Sequence, residues 1–295
     1  MRITSECIEC LLKRHLATAR LHGDDVQVTA FARDLMKMLV EGPEDMASPY
    51  YSPQIAQLFQ KHFGLPYDRY REEKEQSNRF ALEHMEQIRT IVAEAEDPLY
   101  AGLQCAILGN YLDFSALQGE VDFDKLDGML RLSRTIEVDR ENFESLRREL
   151  AEGKQLVYLT DNAGEIGFDR VFAEEIHRQF PELHITFCVR GGPALNDATR
   201  EDAALVGIPF PVIDNGSLIA GTVLSEASEE CLSNLRSADV ILAKGQANVE
   251  TLLGCGLNVY YAFLVKCPKF VEAFGKPKLT PMLHRERGDL CSPAQ

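Results

Sequence analysis

The chain has 295 residues, 45% of them hydrophobic, with 31 Lys plus Arg against 46 Asp plus Glu and a formal net charge of -15. That length and apolar content can supply a substantial globular core, while the acidic balance excludes a broad field for a nucleic-acid backbone. No stretch approaches the roughly 20 apolar residues that span a bilayer, and the charged N-terminus lacks a signal peptide's apolar core. A cytoplasmic protein with its eight scattered cysteines reduced is therefore expected.

Up to about residue 150 the apolar residues recur every three or four positions, as in CIECLLKRHLATARL, VTAFARDLMKMLVEG, SPQIAQLFQKHFG and RFALEHMEQIRTIVAEAED. This spacing predicts helices, with breaks at Gly42-Pro43, Gly64-Leu65-Pro66 and near Pro98. The segment VDRENFESLRRELAEGKQ adds a helix closed by Gly153. Cys7 and Cys10 stand three apart on the first helix, which predicts one shared face and a candidate second metal or redox site. Buried packing thiols are the alternative, because a structural zinc needs two more ligands and no second C-x-x-C follows. Cys267 and Cys291 are the thiols that folding would have to bring near.

From Gln155 the rhythm changes to short apolar runs: QLVYLT, HITFCV, FPVI, DVILA and NVYYAFL. Between them EIGFDRVFAEEIHRQF, ATREDAALVG and TVLSEASEECLSNL read as helices. The alternation predicts an α/β fold, a three-layer α/β/α sandwich on a mostly parallel, doubly wound sheet. Residues 1–150 are read as an N-terminal all-helical subdomain packed on a core of residues 151–295. The tail KLTPMLHRERGDLCSPAQ is weakly patterned and expected to be partly mobile.

In an open parallel sheet, ligands bind beyond the carboxyl ends of the strands. Asp161 and Asn162 follow the first run; Arg190, Gly191 and Gly192, with Asn196 and Asp197 beyond, follow the second; Asp214, Lys244 and Lys266 follow or end the others. Carboxylates beside amide oxygens suit a hard divalent cation, lysines suit phosphate oxygens, and glycines let backbone amides approach an anion. Together they predict a metal-assisted phosphoryl site. Ordinary explanations compete: Asp161 or Asn162 as a helix cap, NAGE as a capping box, Asn196 or Asp197 as a second cap, and Asp214-Asn215-Gly216 as a turn. The turn is preferred for Asp214. The coincidence of the rest at one rim favours a site.

No P-loop, G-x-G-x-x-G or G-x-S-x-G sequence occurs in the strand-to-helix loops. Asp161 also lacks the second acid two residues on that a haloacid-dehalogenase-like phosphatase carries. The seven histidines show no ligand spacing.

The ordered set TDNAGEIGFD (160–169), VRGGPALNDAT (189–199), AKGQANVETL (243–252) and FLVKCP (263–268) resembles the family once labelled domain of unknown function eighty-nine, now described as metal-dependent damage-control phosphatases. The N-terminal CIEC and GNYLDF (109–114) fit its small prokaryotic branch, so the resemblance covers nearly the whole chain. It implies a divalent metal (magnesium, manganese, cobalt or nickel) and hydrolysis of small phosphomonoesters such as sugar phosphates or damaged metabolites. Carried over by motif, Asp161, Asn162 and Asp197 would hold the metal. Lys244 and Lys266 would meet the phosphate, and Asn110 and Asp113 would reach the site from the helical half. Asp161 serves either as a ligand while water attacks or as a transient nucleophile, and the missing second acid favours water.

Two other readings stay open. One is an S-adenosylmethionine-dependent carboxyl methyltransferase, weakened by the want of a glycine-rich strand-to-helix loop. The other is a non-catalytic metal or redox sensor built on Cys7 and Cys10, with the crevice as a small-ligand pocket.

Overall fold

A computed structural model describes residues 1–111, 128, 130 and 133–286; Asp113 and Cys291 lie outside them. Among the described residues the α-helices before the sheet include α1 (Ser5–Ala19), α2 (Asp25–Glu41), α3 (Ser52–Phe63), α4 (Arg71–Ala93), α5 (Pro98–Gly109) and α6 (Arg140–Glu152). Local chemistry sets their starts: Thr4, Asp97 and Asp139 each accept a hydrogen bond from a first-turn amide, and Asp24 forms a capping box with Gln27. Gly64 stops α3 in the left-handed conformation (φ 68°).

Six strands form one sheet in the order β3-β2-β1-β4-β5-β6: β1 (Gln155–Leu159), β2 (His184–Val189), β3 (Val212–Asp214), β4 (Val240–Lys244), β5 (Val259–Leu264) and β6 (Pro281–Glu286). The first five run parallel, with Leu156 beside both Ile185 and Val240. β6 returns antiparallel on β5. The sequence reading had no strand in this tail. PMLHRE is a partly buried edge with one fully buried side chain, Leu283, so its apolar signal is weak.

Connecting helices are α7 (Glu165–Gln179), α8 (Arg200–Leu205), α9 (Glu229–Ser237), α10 (Gly245–Leu252) and α11 (Pro268–Phe274). The helix expected over TVLSEASEECLSNL is shorter, because Ser228 caps it by accepting from Cys231 N. α10 and α11, of eight and seven residues, were not read from the sequence.

Alternate residues of each strand enter opposite clusters, as the period of two requires. Leu156, Tyr158, Phe187 and Leu242 pack with α4, α5, α6 and α7, whereas Val157, Leu159, Ile241 and Phe263 pack with α9, α10 and α11. The fold is thus an α/β/α sandwich with a mostly parallel sheet. The helices of the first half do not share one core: α1, α2 and α3 bury Leu11, Phe31, Ile55 and Phe59 in a cluster of their own, while α4, α5 and α6 belong to the sheet's layer. α5 is buried from Leu99 to Gly109. Gly102 lets it approach α7, since a Cβ there would lie 2.8 Å from Phe172 Cδ2. No described helix is long and apolar enough to cross a membrane.

Candidate active site

Strand order reverses between β1 and β4, which opens a crevice at their carboxyl ends. The loops after β1 and β2 are stitched together there. Ala198 N donates to Asp161 O at 2.7 Å, Ala163 N donates to Asn196 O at 2.9 Å, and Asn162 bridges Asp197 in antiparallel fashion. Four polar residues from two loops are thereby fixed side by side, all of them buried.

Their side chains are ordered by neighbours. Asp161 Oδ2 accepts from Asn110 Nδ2 at 3.0 Å and from Asn162 Nδ2 at 2.8 Å. Asn196 Nδ2 donates to Asn162 Oδ1 at 2.9 Å. Arg190 Nε donates to Asp197 Oδ2 at 2.6 Å, and its Nη2 lies 3.8 Å from Asp161 Oδ1. The close approach of β4 completes the wall: Gly245 (φ +74°) follows Lys244 with Asp161 packed directly against its Cα.

Behind the loops lies a second buried layer. Lys244 Nζ donates to Ala106 O at 2.8 Å, Glu165 Oε1 at 2.7 Å and Asp169 Oδ1 at 2.6 Å. An ammonium has three donors, and these use all three. Burial pushes the Asp169 carboxyl up and Lys244 pulls it back, for a net value of about 7. Burial alone would lower the Lys244 pKa, but Asp169 and Glu165 outweigh it and the net shift is upward. Glu165 Oε2 in turn accepts from Asn110 Nδ2 and Asn162 Nδ2, each at 2.8 Å. The two layers are one hydrogen-bonded network.

Four of the residues singled out in the sequence therefore meet: Asp161, Asn162, Asp197 and Asn110. Asp161 is not there as a cap, since α7 begins after Gly164 (φ 77°) with no side-chain cap. Lys266 is partly buried at the edge, with Nζ donating to Asn110 O at 2.8 Å. Lys244 reaches the same network from behind, where its donors serve the protein's own carboxylates rather than an incoming phosphate. Gly191 and Gly192 have a different explanation from the expected anion cradle. Gly191 N donates to Ser217 O and Asn215 Oδ1, and a Cβ there would lie 2.5 Å from Gly216 C. A Cβ on Gly192 would lie 2.6 Å from Leu218 Cδ2. Asp214 is a turn residue, accepting from Gly216 N at 3.0 Å. Cys7 and Cys10 stand three apart on α1, Cys7 buried and Cys10 exposed.

Arg190 and Asp169 carry no role in the sequence reading, and Glu165 carries only that of a cap. The spacing of Glu165 and Asp169, four apart on one helix, is the signal that puts both on the face toward Lys244.

The donor set fits a hard divalent cation. Asp161 and Asp197 contribute carboxylates, Asn162 an amide oxygen with a second lone pair, and Asn196 Oδ1 is buried without a hydrogen-bond partner. Among the described residues no group of three or more His, Cys, Asp or Glu is placed to hold a metal, so a cation here would draw on amide oxygens as well as the two acids.

A chain of this fold and crevice belongs with the phosphatases of the domain described as damage-control phosphatase ARMT1-like, whose profile matches residues 3–280. The chain is a member of that family. It is 31% identical over 281 residues to a damage-control phosphatase of Archaeoglobus fulgidus, covering 93% of this chain and 96% of the relative. It is 30% identical over 286 residues to an uncharacterized protein of Methanocaldococcus jannaschii, covering 93% and 92%. The crystal structure of a DUF89 family protein from Pyrococcus horikoshii superposes with a TM-score of 0.82 at 25% identity, over 97% of this chain and 99% of that one. These relatives do not favour the methyltransferase reading.

Proposed function

We propose that the crevice between β1 and β4 hydrolyses small phosphomonoesters, sugar phosphates or damaged phosphometabolites, with a divalent cation (magnesium, manganese, cobalt or nickel) held by Asp161, Asn162 and Asp197. The observation that carries this reading is the pair of buried carboxylates, Asp161 and Asp197, facing one guanidinium beside the unpartnered Asn196 oxygen. The acidic surface of the chain suits compact substrates over polyanionic polymers.

When bound, the cation supplies charge neutralisation at the phosphoryl oxygens and a water of lowered pKa. The protein's part is orientation. Asn110 and Asn162 hold one oxygen of Asp161, so its other oxygen keeps a fixed direction. Neither amide bond falls on Oδ1, so the missing second acid two residues after Asp161 is what favours water as the attacking group. Lys266, whose ammonium donates to Asn110 O, is the lysine we assign to the phosphoryl oxygens. Lys244 holds Glu165 and Asp169 in place behind the site by hydrogen bonds, and Glu165 in turn fixes Asn110 and Asn162.

The test is hydrolysis of an aryl phosphate by metal-stripped protein, before and after each cation is restored, beside Asp161→Ala. Turnover restored by cation and abolished by the substitution is expected. Cation binding without cleavage of any ester in a broad panel would overturn the phosphatase reading.

A further inference from the structure

Arg190 stands between the two carboxylates of the site with its side chain fully withdrawn from solvent. Nε donates to Asp197 Oδ2 at 2.6 Å, and Nη2 donates to Thr160 O at 3.1 Å while lying 3.8 Å from Asp161 Oδ1. Gly221 N adds a second donor to Asp197 Oδ2 at 3.3 Å. One edge of a planar fork thus spans a residue of each loop, and the same oxygen of Asp197 is claimed twice.

The rest of the guanidinium shows what this placement sacrifices. Nη1 is buried and has no hydrogen-bond partner. A buried cation with an unsatisfied amino group is a poor choice for stability, because an apolar side chain of that volume would incur no such penalty. Such groups persist where the engaged edge serves something else. A rigid planar fork holds Asp197 and the Thr160 carbonyl at a fixed mutual spacing, whereas the three donors of a lysine ammonium rotate on a flexible stem and fix no such plane.

We infer that Arg190 is a positioning residue for the cation centre: it fixes the direction of the Asp197 carboxylate and the spacing of Asp197 from Asp161, without itself touching cation or substrate. The inference rests on the cation reading given above. Residues that orient metal ligands characteristically change metal affinity by about 10–100-fold when replaced.

The experiment is Mn2+ titration of the whole chain, followed by electron paramagnetic resonance, for wild type, Arg190→Lys and Arg190→Met, each checked for a cooperative thermal transition. Positioning predicts Mn2+ affinity at least about tenfold weaker in both variants, despite the charge kept in the first and the repulsion removed in the second. If Arg190→Lys binds like wild type and Arg190→Met binds tighter, the arginine is a charge screen and the inference falls. A wild-type chain that does not bind Mn2+ would overturn the cation reading, and this inference with it. A second measurement needs no variant: the Arg190 Nε–H resonance of the wild-type protein should shift on adding Mg2+, because its acceptor is a proposed ligand. A resonance unmoved at saturating Mg2+ would also overturn the inference.

Discussion

A Cβ at Gly245 would lie 1.8 Å from Asp161 Oδ2, inside any contact distance two side chains can share. The first residue of α10 and the acid after β1 are therefore mutually dependent, and the positive φ of Gly245 (+74°) adds a second reason for glycine. Gly245→Ala should displace the Asp161 carboxylate by more than an ångström, with strain of about 1–2 kcal/mol from the backbone alone. Misplacement on that scale lowers turnover by about a hundredfold. Parallel thermal melts and aryl phosphate assays check this: a small loss of stability with a large loss of rate is expected, and unchanged rate would show that Asp161 is not positioned from this side.

Lys244 holds Glu165 and Asp169 in a fully buried cluster. Lys244→Met should cost about 3–5 kcal/mol in urea unfolding, because it leaves two buried carboxyls without their cation. Adding Glu165→Gln and Asp169→Asn to it should recover much of that loss. A Lys244→Met protein as stable as wild type but without turnover would instead return this lysine to the phosphate.

How much of this was legible beforehand depends on which residues one considers. The apolar runs of β1, β2, β4 and β5 are buried on both faces and so announce themselves, and the acids after β1 and β2 follow from where strands end. Asn110 was reachable only through its motif, because nothing in the GNY sequence says that α5 will pack against α7 and β5 closely enough to deliver it. Lys244 was placed correctly at a strand end, yet the direction of its side chain depends on two acids 75 and 79 residues away. Arg190 was placed in sequence at the strand-end rim without a role; its burial accompanies the loop crossing that pairs Arg190 with Thr199.

The helical layer carries its own pH dependence. His15 is buried, edge-on to Phe59 with ring centroids 5.8 Å apart, and Arg14 Nη2 lies 3.3 Å from its Nε2. Burial, then the charges of Arg14 and Arg69, hold its pKa well below 6.5. The unfolded chain thus takes up the proton first. This contribution is whole above about pH 6.5 and declines as pH falls, by about 1.4 kcal/mol per pH unit until the folded pKa is reached. Urea midpoints at pH 7.0 and 5.5 should separate for wild type more than for His15→Phe; an identical separation would place the titrating group elsewhere.

Cation binding should be visible in stability before any substrate is chosen. A ligand that binds only the folded chain adds RT ln(1 + [L]/Kd), about 2.7 kcal/mol at a hundredfold excess over Kd. Chelated protein should therefore melt lower than the same protein with Mn2+ or Mg2+ restored, and the shift should grow with cation concentration rather than saturate at one equivalent. Asp197→Asn keeps the shape of the side chain but removes the charge that pairs with buried Arg190, so its chelated form should melt below the wild type's and it should also lose most of the cation-dependent shift. A full shift in Asp197→Asn would mean that the cation acts elsewhere. Zn2+ is the informative control: preference for it over Mg2+ would indicate thiol ligands such as Cys7 or Cys267, whereas oxygen donors at Asp161, Asn162 and Asp197 predict that the hard ions suffice.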